Sequence, residues 1–387
     1  MLTLDRPIVT RARPAPAVAL FLTALAGQAS VLVISPLLPR IAEALHASIG
    51  SAGQLRTVSG GVAAATALLL GRRARGLELR TLLATGLGLL VLGALAGAAA
   101  PTLPVMMLAQ VPIGLGTASV LVGTVAASAA WTPPEQRTRV LGWTLVGQAV
   151  SWVVGMPVVG LVAATAGWRA ALCALPVAAC LLALGALRAA PAGRSAAAAD
   201  GLGWLRRPGV ARWAAGELLA YSAWSATLVF AGALFATTYG AGPLAVGIVL
   251  GAGAAAYLPG NFAARRWVER SPRASALALA AAATLVAPAV YGARSSLPLS
   301  IALFALMSAI GGGRTLAGSA RGLELAGSHP VSSSGIRAAA LQLGYLVGAG
   351  LGGTAVSLGG LTALGVLLGA VFAGAAFCSA PRRGEPA

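Results

Sequence analysis

Residues 79–99 read LRTLLATGLGLLVLGALAGAA, with Arg80 as the only charge. A helix of about 20 residues spans the hydrocarbon core of a bilayer. The stretch shows no period-two alternation, so it does not read as a barrel strand. In lipid every backbone polar group must be satisfied within the chain, which makes the run a membrane helix. Similar runs occur at 17–39, 51–71, 104–128, 139–165 and 169–189, and again at 212–237, 243–264, 274–293, 298–320, 333–356 and 360–380. Together they predict twelve spans in an all-α membrane protein.

Composition agrees. The 387 residues are 58% hydrophobic and 9% charged, whereas a soluble domain carries about 25% charged residues. So little charge cannot cover the surface of a soluble enzyme, a nucleic-acid-binding domain or a disordered chain. The formal charge of +18 comes from 27 basic residues, all arginine. They do not form one basic face but sit in short clusters between apolar runs, the pattern of a multi-pass membrane protein. With a cytoplasmic N-terminus, only Arg40, Arg169 and Arg294 fall in outer segments, and Arg56 and Arg314 fall inside spans. The other 22 arginines fall on the inner side. Both termini are therefore expected in the cytoplasm, and Arg6, Arg11 and Arg13 precede the first span with no cleavage signal after them. Cys173, Cys180 and Cys378 make no disulfide framework, and no Cys/His spacing suggests a metal site.

The gap between residues 190 and 211 is the longest polar stretch and divides six spans from six. The expected organisation is a tail (1–16), a first bundle (17–189), a linker (190–211), a second bundle (212–380) and a second tail (381–387). The halves repeat. The segment from Gly155 to Gly160 is echoed from Gly348 to Gly353, and the arginine-rich turn from Gly71 to Arg80 is echoed from Arg265 to Arg273, at offsets of 193 and 194 residues. Pseudo-symmetric halves of this kind are used by secondary transporters for alternating access.

Local motifs appear in a fixed order. They are Ser35-Pro36-Leu37-Leu38-Pro39, the turn Gly71-Arg72-Arg73-Ala74-Arg75-Gly76 with Arg80 after it, and Pro133-Pro134-Glu135-Gln136-Arg137. Next come Gly155, Pro157 and Gly160, then Gly167-Trp168-Arg169, and finally Arg265-Arg266-Trp267-Val268-Glu269-Arg270. The series resembles the major facilitator superfamily over the whole chain, and most closely its bacterial drug:proton antiporter and sugar-efflux branch. The resemblance implies two six-helix bundles and export of a small organic molecule (a drug, sugar or metabolite) by proton antiport. The implied setting is the bacterial inner membrane. The partners would be substrate, protons and the bilayer; no cofactor beyond the proton gradient, no nucleic acid and a monomer are expected. In the resembled family Gly155, Pro157 and Gly160 belong to exporters and control the outer interface. Two positions depart from the family pattern: Arg75 stands where an Asp latches the halves, and Gln110 where span four carries an Arg. The second turn keeps an acid, Glu269, followed by Arg270, so a one-sided latch from Glu269 to Arg137 or Arg139 is expected.

Ionisable residues inside spans are functional candidates by default. Of nine acids only Glu217 falls in a span, with Tyr221 and Trp224 on its face of the helix. It reads either as a proton-coupling carboxyl on the cavity or as an interfacial acid paired with Arg212. Arg314, after three glycines, reads either as an attractor of anionic substrate or as an arginine paired with an acid; Arg56 reads as snorkelling to the outer surface. Gln28, Gln110, Gln148, Trp152, Gln342 and Tyr345 are cavity candidates, with helix–helix hydrogen bonding as the alternative. No span holds a catalytic set, so an enzyme is not expected. An uptake or uncoupled permease of the same fold, and a non-transporting membrane sensor, stay open.

Overall fold

The computed structural model describes residues 14–73, 76–194, 206, 209–326 and 330–381. Arg75 and the side chains of Arg137 and Arg139 lie outside the described residues. The first half comprises α1 (Pro14–Leu32), α2 (Ile34–Ala44), α3 (Ile49–Arg73), α4 (Leu79–Ala99), α5 (Leu103–Ala130) and α6 (Pro134–Leu187). The second comprises α7 (Val210–Tyr239), α8 (Pro243–Arg270), α9 (Pro272–Gly292), α10 (Leu297–Ala326) and α11 (Pro330–Ser379).

Helix ends follow local chemistry. The Glu78 carboxylate caps α4, accepting from the backbone N–H of Arg80 at 3.0 Å and of Thr81 at 2.5 Å. Proline stands in the first turn of α5, α8 and α9, where its missing N–H has no intrahelical partner to lose. The α7 helix stops at Gly240, whose φ of 62° a residue with a Cβ rarely adopts.

Among the described residues nine helices are long and apolar enough to cross a bilayer. Two of them, Gly142–Leu187 and Ala339–Ser379, run 46 and 41 residues, twice the length a crossing needs. Each turns back on itself at glycine: α6 at Gly167, with φ 85°, and α11 at Gly359 and Gly360. Beyond Gly167, Arg169 donates to Ala98 O at 2.6 Å and Ala100 O at 2.8 Å, at the end of α4. The chain then returns to where Gly193 O accepts from Leu79 N at 2.9 Å, so α6 crosses twice. The α3 helix is 25 residues long but too polar to join the nine. Its polar groups face α11: Gln54 donates to Gly350 O at 3.2 Å and accepts from Thr57 at 2.8 Å. The first expected span is two helices, α1 and α2, on either side of Val33. These helices accommodate the twelve expected crossings.

The repeat is visible in three dimensions. The turning glycines Gly167 and Gly360 both have positive φ and lie 193 residues apart, the offset between the repeated motifs. Ser35 donates to Leu228 O across the halves, again 193 residues on. A position that touches its own repeat equivalent lies beside the pseudo-twofold axis, so the axis passes between α2 and α7.

The outer flanks are apolar, with Leu358, Leu285 and Phe377 at 84%, 77% and 75% exposure. No hydrophobic drive favours helix association in lipid, so close packing and interhelical hydrogen bonds hold the bundle. Tyr291 is fully buried and donates to Thr227 O at 2.8 Å, tying α9 to α7. Tyr291→Phe is expected to lower unfolding stability by about 1 kcal/mol, measured by thermal unfolding in detergent.

Candidate functional site

Among the described residues, one end of the bundle carries most of the arginines. The opposite, arginine-poor end is where the halves meet. A Cβ on Gly50 would stand 2.1 Å from Ser357 Oγ and 2.4 Å from Gly353 O. One on Gly160 would stand 2.5 Å from Pro243 O, and one on Gly232 would clash with the backbone of Ser35. Pro157 Cδ lies 2.8 Å from the position of a Cβ on Gly251, so the Gly155–Gly160 segment packs on α8 at the seam. The deepest glycine-mediated approaches join Gly60 and Gly61 to Leu346 and Gly251 to Val153, near mid-depth. The seam is therefore shut over its arginine-poor half.

Arg56 sits on this seam and is not at the lipid surface. It is 3% exposed, so the snorkelling expectation fails. Its guanidinium lies 4.4 Å from the centre of the Tyr345 ring in the opposite half, and Nη1 donates to Ser59 Oγ at 3.0 Å. Helix α3 turns its polar face inward, and the ring's quadrupole stands in for an anion. Burying a charge against a hydroxyl and a ring costs more than burying an apolar side chain of like volume. Arg56→Met is thus expected to raise stability by about 1 kcal/mol, read as a higher unfolding temperature; a lower one would contradict it.

The second constellation lies within the second half. Glu217 on α7 is 1% exposed. Its Oε1 accepts from Arg314 Nη1 of α10 at 2.6 Å, and its Oε2 from Arg337 Nε of α11 at 3.0 Å. Arg337 also donates to Tyr221 Oη and, at 3.3 Å, to Thr315 O. Arg314 Nη2 donates to Gly216 O at 3.3 Å. One carboxylate thus ties three helices together. Gly318 makes room for it, since a Cβ there would stand 2.2 Å from Glu217 Oε1. The expected alternative partner, Arg212, is elsewhere: it donates to Phe377 O and lies over the Phe377 ring. Arg337, read from sequence as an inner-segment arginine, is instead part of the cluster. Its i, i+8 relation to Tyr345 on α11 was the one signal that could have placed it on an inward face.

Tyr221, Trp224, Arg314 and Thr315 line a crevice beside the cluster, closed by Met307 and Phe372. Trp224 lies 6.1 Å from the Tyr257 ring. Gln342 is buried on α11 between Arg337 and Tyr345. In the first half Gln28, Gln148 and Trp152 are half-buried, while Gln110 is buried with Oε1 unpartnered among the described residues. Structure therefore gathers Glu217, Tyr221, Trp224 and Arg314 at one place and sets Arg56 and Tyr345 at another. Glu269 pairs with Arg265 on its own helix at 2.8 Å, and Arg80 donates to Arg188 O at 3.0 Å.

Two pseudo-symmetric halves, a seam shut at one end and ionisable groups buried inside the bundle are the features of a membrane transporter. Residues 18–213 match the Major Facilitator Superfamily. The chain is 30% identical over 358 residues to a chloramphenicol resistance protein of Streptomyces lividans, covering 88% of this chain and 90% of that one. It belongs to the Major Facilitator Superfamily. Among solved structures it resembles the nucleoside transporter NupG, with a TM-score of 0.74 at 14% identity, over 94% of this chain and 98% of that one. A bacterial homologue of the human lysosomal transporter Spinster, in an inward-facing unoccupied conformation, matches with a TM-score of 0.74 at 14% identity, over 95% and 94%. At that identity the two likenesses describe the fold alone.

Proposed function

We propose that this transporter exports a small organic molecule from the bacterial cytoplasm in exchange for protons, by alternating access. One observation carries the proposal: the only acid expected inside a span, Glu217, is buried where it bridges α7, α10 and α11 through Arg314 and Arg337. A proton on Glu217 removes the charge both guanidiniums hold. The three helices then lose their common tie and can repack, while loss of the proton restores it. Proton binding has a different free energy in the two arrangements, which is the condition for coupling. The arginine-rich end is read as cytoplasmic. With the seam shut at the opposite end, the state described is then inward-facing. The likeness to the chloramphenicol resistance protein supports export over uptake.

Charge sets the expected substrate class. Inside the bundle the buried Arg56 and Arg314 and the half-buried Arg337 stand against Glu217. A surplus of positive charge at low dielectric repels cations, so neutral or anionic compounds are the expected cargo. An uncoupled permease is the second reading. It is favoured by the two guanidiniums a proton must displace from Glu217, and by Gln110 where the resembled family has Arg.

Accumulation of a panel of neutral, anionic and cationic antibiotics and dyes in efflux-deficient cells tests both readings. The expected result is lower accumulation of neutral or anionic members, abolished by a protonophore, with cationic dyes unaffected. Unlowered accumulation, with equilibration speeded whether or not the protonophore is present, supports the uncoupled carrier.

A further inference from the structure

A second crevice opens at the arginine-rich end, between α7, α9, α10 and the end of α11. Arg212, Arg273, Arg314 and Arg321 line it, with one carboxylate, Glu217, and with Trp213 and Cys378. At its deep end Arg314 has a side chain only 8% exposed, and its Nε has no partner among the described residues. At its mouth Arg212 lies with its guanidinium 5.7 Å from the centre of the Phe377 ring. Phe377 is 75% exposed on the outer flank of the bundle. Arg273 donates to Ser379 O at 3.3 Å and to Ala380 O at 2.8 Å.

Among the described residues, Glu217 and Glu324 do not balance Arg212, Arg314, Arg321 and Arg337. Arg321 pairs with Glu324 at 2.9 Å. Glu217 serves Arg314 and Arg337 together, leaving that pair with one positive charge. Arg212 is held by a carbonyl and a ring, neither of which neutralises it. An Arg fork matches the oxygens of a phosphate group. Basic pockets between membrane helices on the cytoplasmic side accept anionic lipid headgroups. An exposed phenylalanine directly beneath a mouth arginine suits a ligand whose phosphate continues into an acyl chain.

We propose that this crevice binds the phosphate of an anionic phospholipid from the adjoining leaflet, with its chain along Phe377. The site is separate from the seam between the halves and does not rest on the transport reading. Because Arg314 is common to the crevice and to the Glu217 cluster, a bound phosphate would draw on a guanidinium that otherwise holds Glu217.

Native mass spectrometry of the purified full chain tests this, with phosphatidylglycerol, phosphatidylcholine or inorganic phosphate added. Phosphatidylglycerol is expected to be retained in preference to phosphatidylcholine, with inorganic phosphate giving no retained adduct. Retention should weaken about 5-fold for each arginine removed in Arg212→Gln and in the double variant Arg212→Gln/Arg321→Gln. The control Arg266→Gln/Arg270→Gln, which removes equal charge from α8 at the same end, should leave it unchanged. Equal retention of the two lipids by the wild-type chain would overturn the proposal, even if a variant failed to fold. So would equal weakening in the control, which would mean general charge attraction. Retention of inorganic phosphate as strong as that of the lipid would assign the site to a soluble anion and overturn the lipid assignment.

Discussion

Glu217→Gln is expected to abolish export and to lower stability by about 3 kcal/mol. The substitution keeps the shape but removes the one carboxylate that serves Arg314 and Arg337 among the described residues. The buried Arg314 and half-buried Arg337 guanidiniums are then left with neutral partners alone: the amide oxygen, backbone carbonyls and the Tyr221 hydroxyl. Breaking a buried pair by deleting one member costs more than the pair contributes, because the remaining charge has neither water nor partner. Adding Arg314→Met to Glu217→Gln removes one stranded charge. It should recover part of the lost stability without recovering export, because the proton site is still gone. Thermal unfolding and accumulation assays on the single and double variants separate the two effects. A single variant as stable as wild type would mean the cluster is not a structural tie.

Gly50→Leu is expected to stop the transport cycle while leaving the fold intact. A Cβ at this position meets Ser357 Oγ at 2.1 Å and Gly353 O at 2.4 Å, in the other half. The clash is between halves, not within one, so the chain relieves it by parting the seam at the arginine-poor end. The equilibrium then moves to the state open at that end, and export should fall below about a tenth of wild type, the effect of a bias greater than 1.4 kcal/mol. Gly160→Leu, facing Pro243 O and Leu244 Cα, should do the same from the other side of the axis. Spin labels at Glu43 and Leu358, both exposed near this end, report the change. The expected distance distribution is longer in Gly50→Leu than in wild type. An unchanged distribution with lost transport would move the defect from the seam to the binding site.

Much of the fold could be read from the chain because lipid imposes a simple rule: residues 79–99 have no other way to satisfy their backbone. The repeat was readable from Gly155–Gly160 and Gly348–Gly353, and the structure adds Gly167 and Gly360 at the same offset, both with positive φ. The turns were legible as well: the runs 139–165 and 169–189 meet at Gly167, where the backbone leaves the helix with φ 85°. The site was readable only by residue type. Rarity singled out Glu217 and Arg314, but nothing along the chain shows which way a helix is rotated. Arg337 therefore passed for an inner-segment arginine, and Arg56 for a snorkelling one. Both face inward because their helices pack a polar stripe against a partner helix, and a single sequence does not record that pairing. Glu269 pairs with Arg265 on its own helix, while Arg137 and Arg139, its expected partners across the halves, have side chains outside the described residues.

The most direct test of proton-driven export uses inside-out membrane vesicles acidified by respiration. A pH-sensitive dye reports the internal acid, and the compound most strongly excluded in the accumulation panel is then added. Antiport predicts that the compound enters and the dye signal recovers as protons leave, in wild type and not in Glu217→Gln. Entry of the compound with no recovery of the dye signal would contradict proton coupling and leave a carrier that runs on the substrate gradient alone.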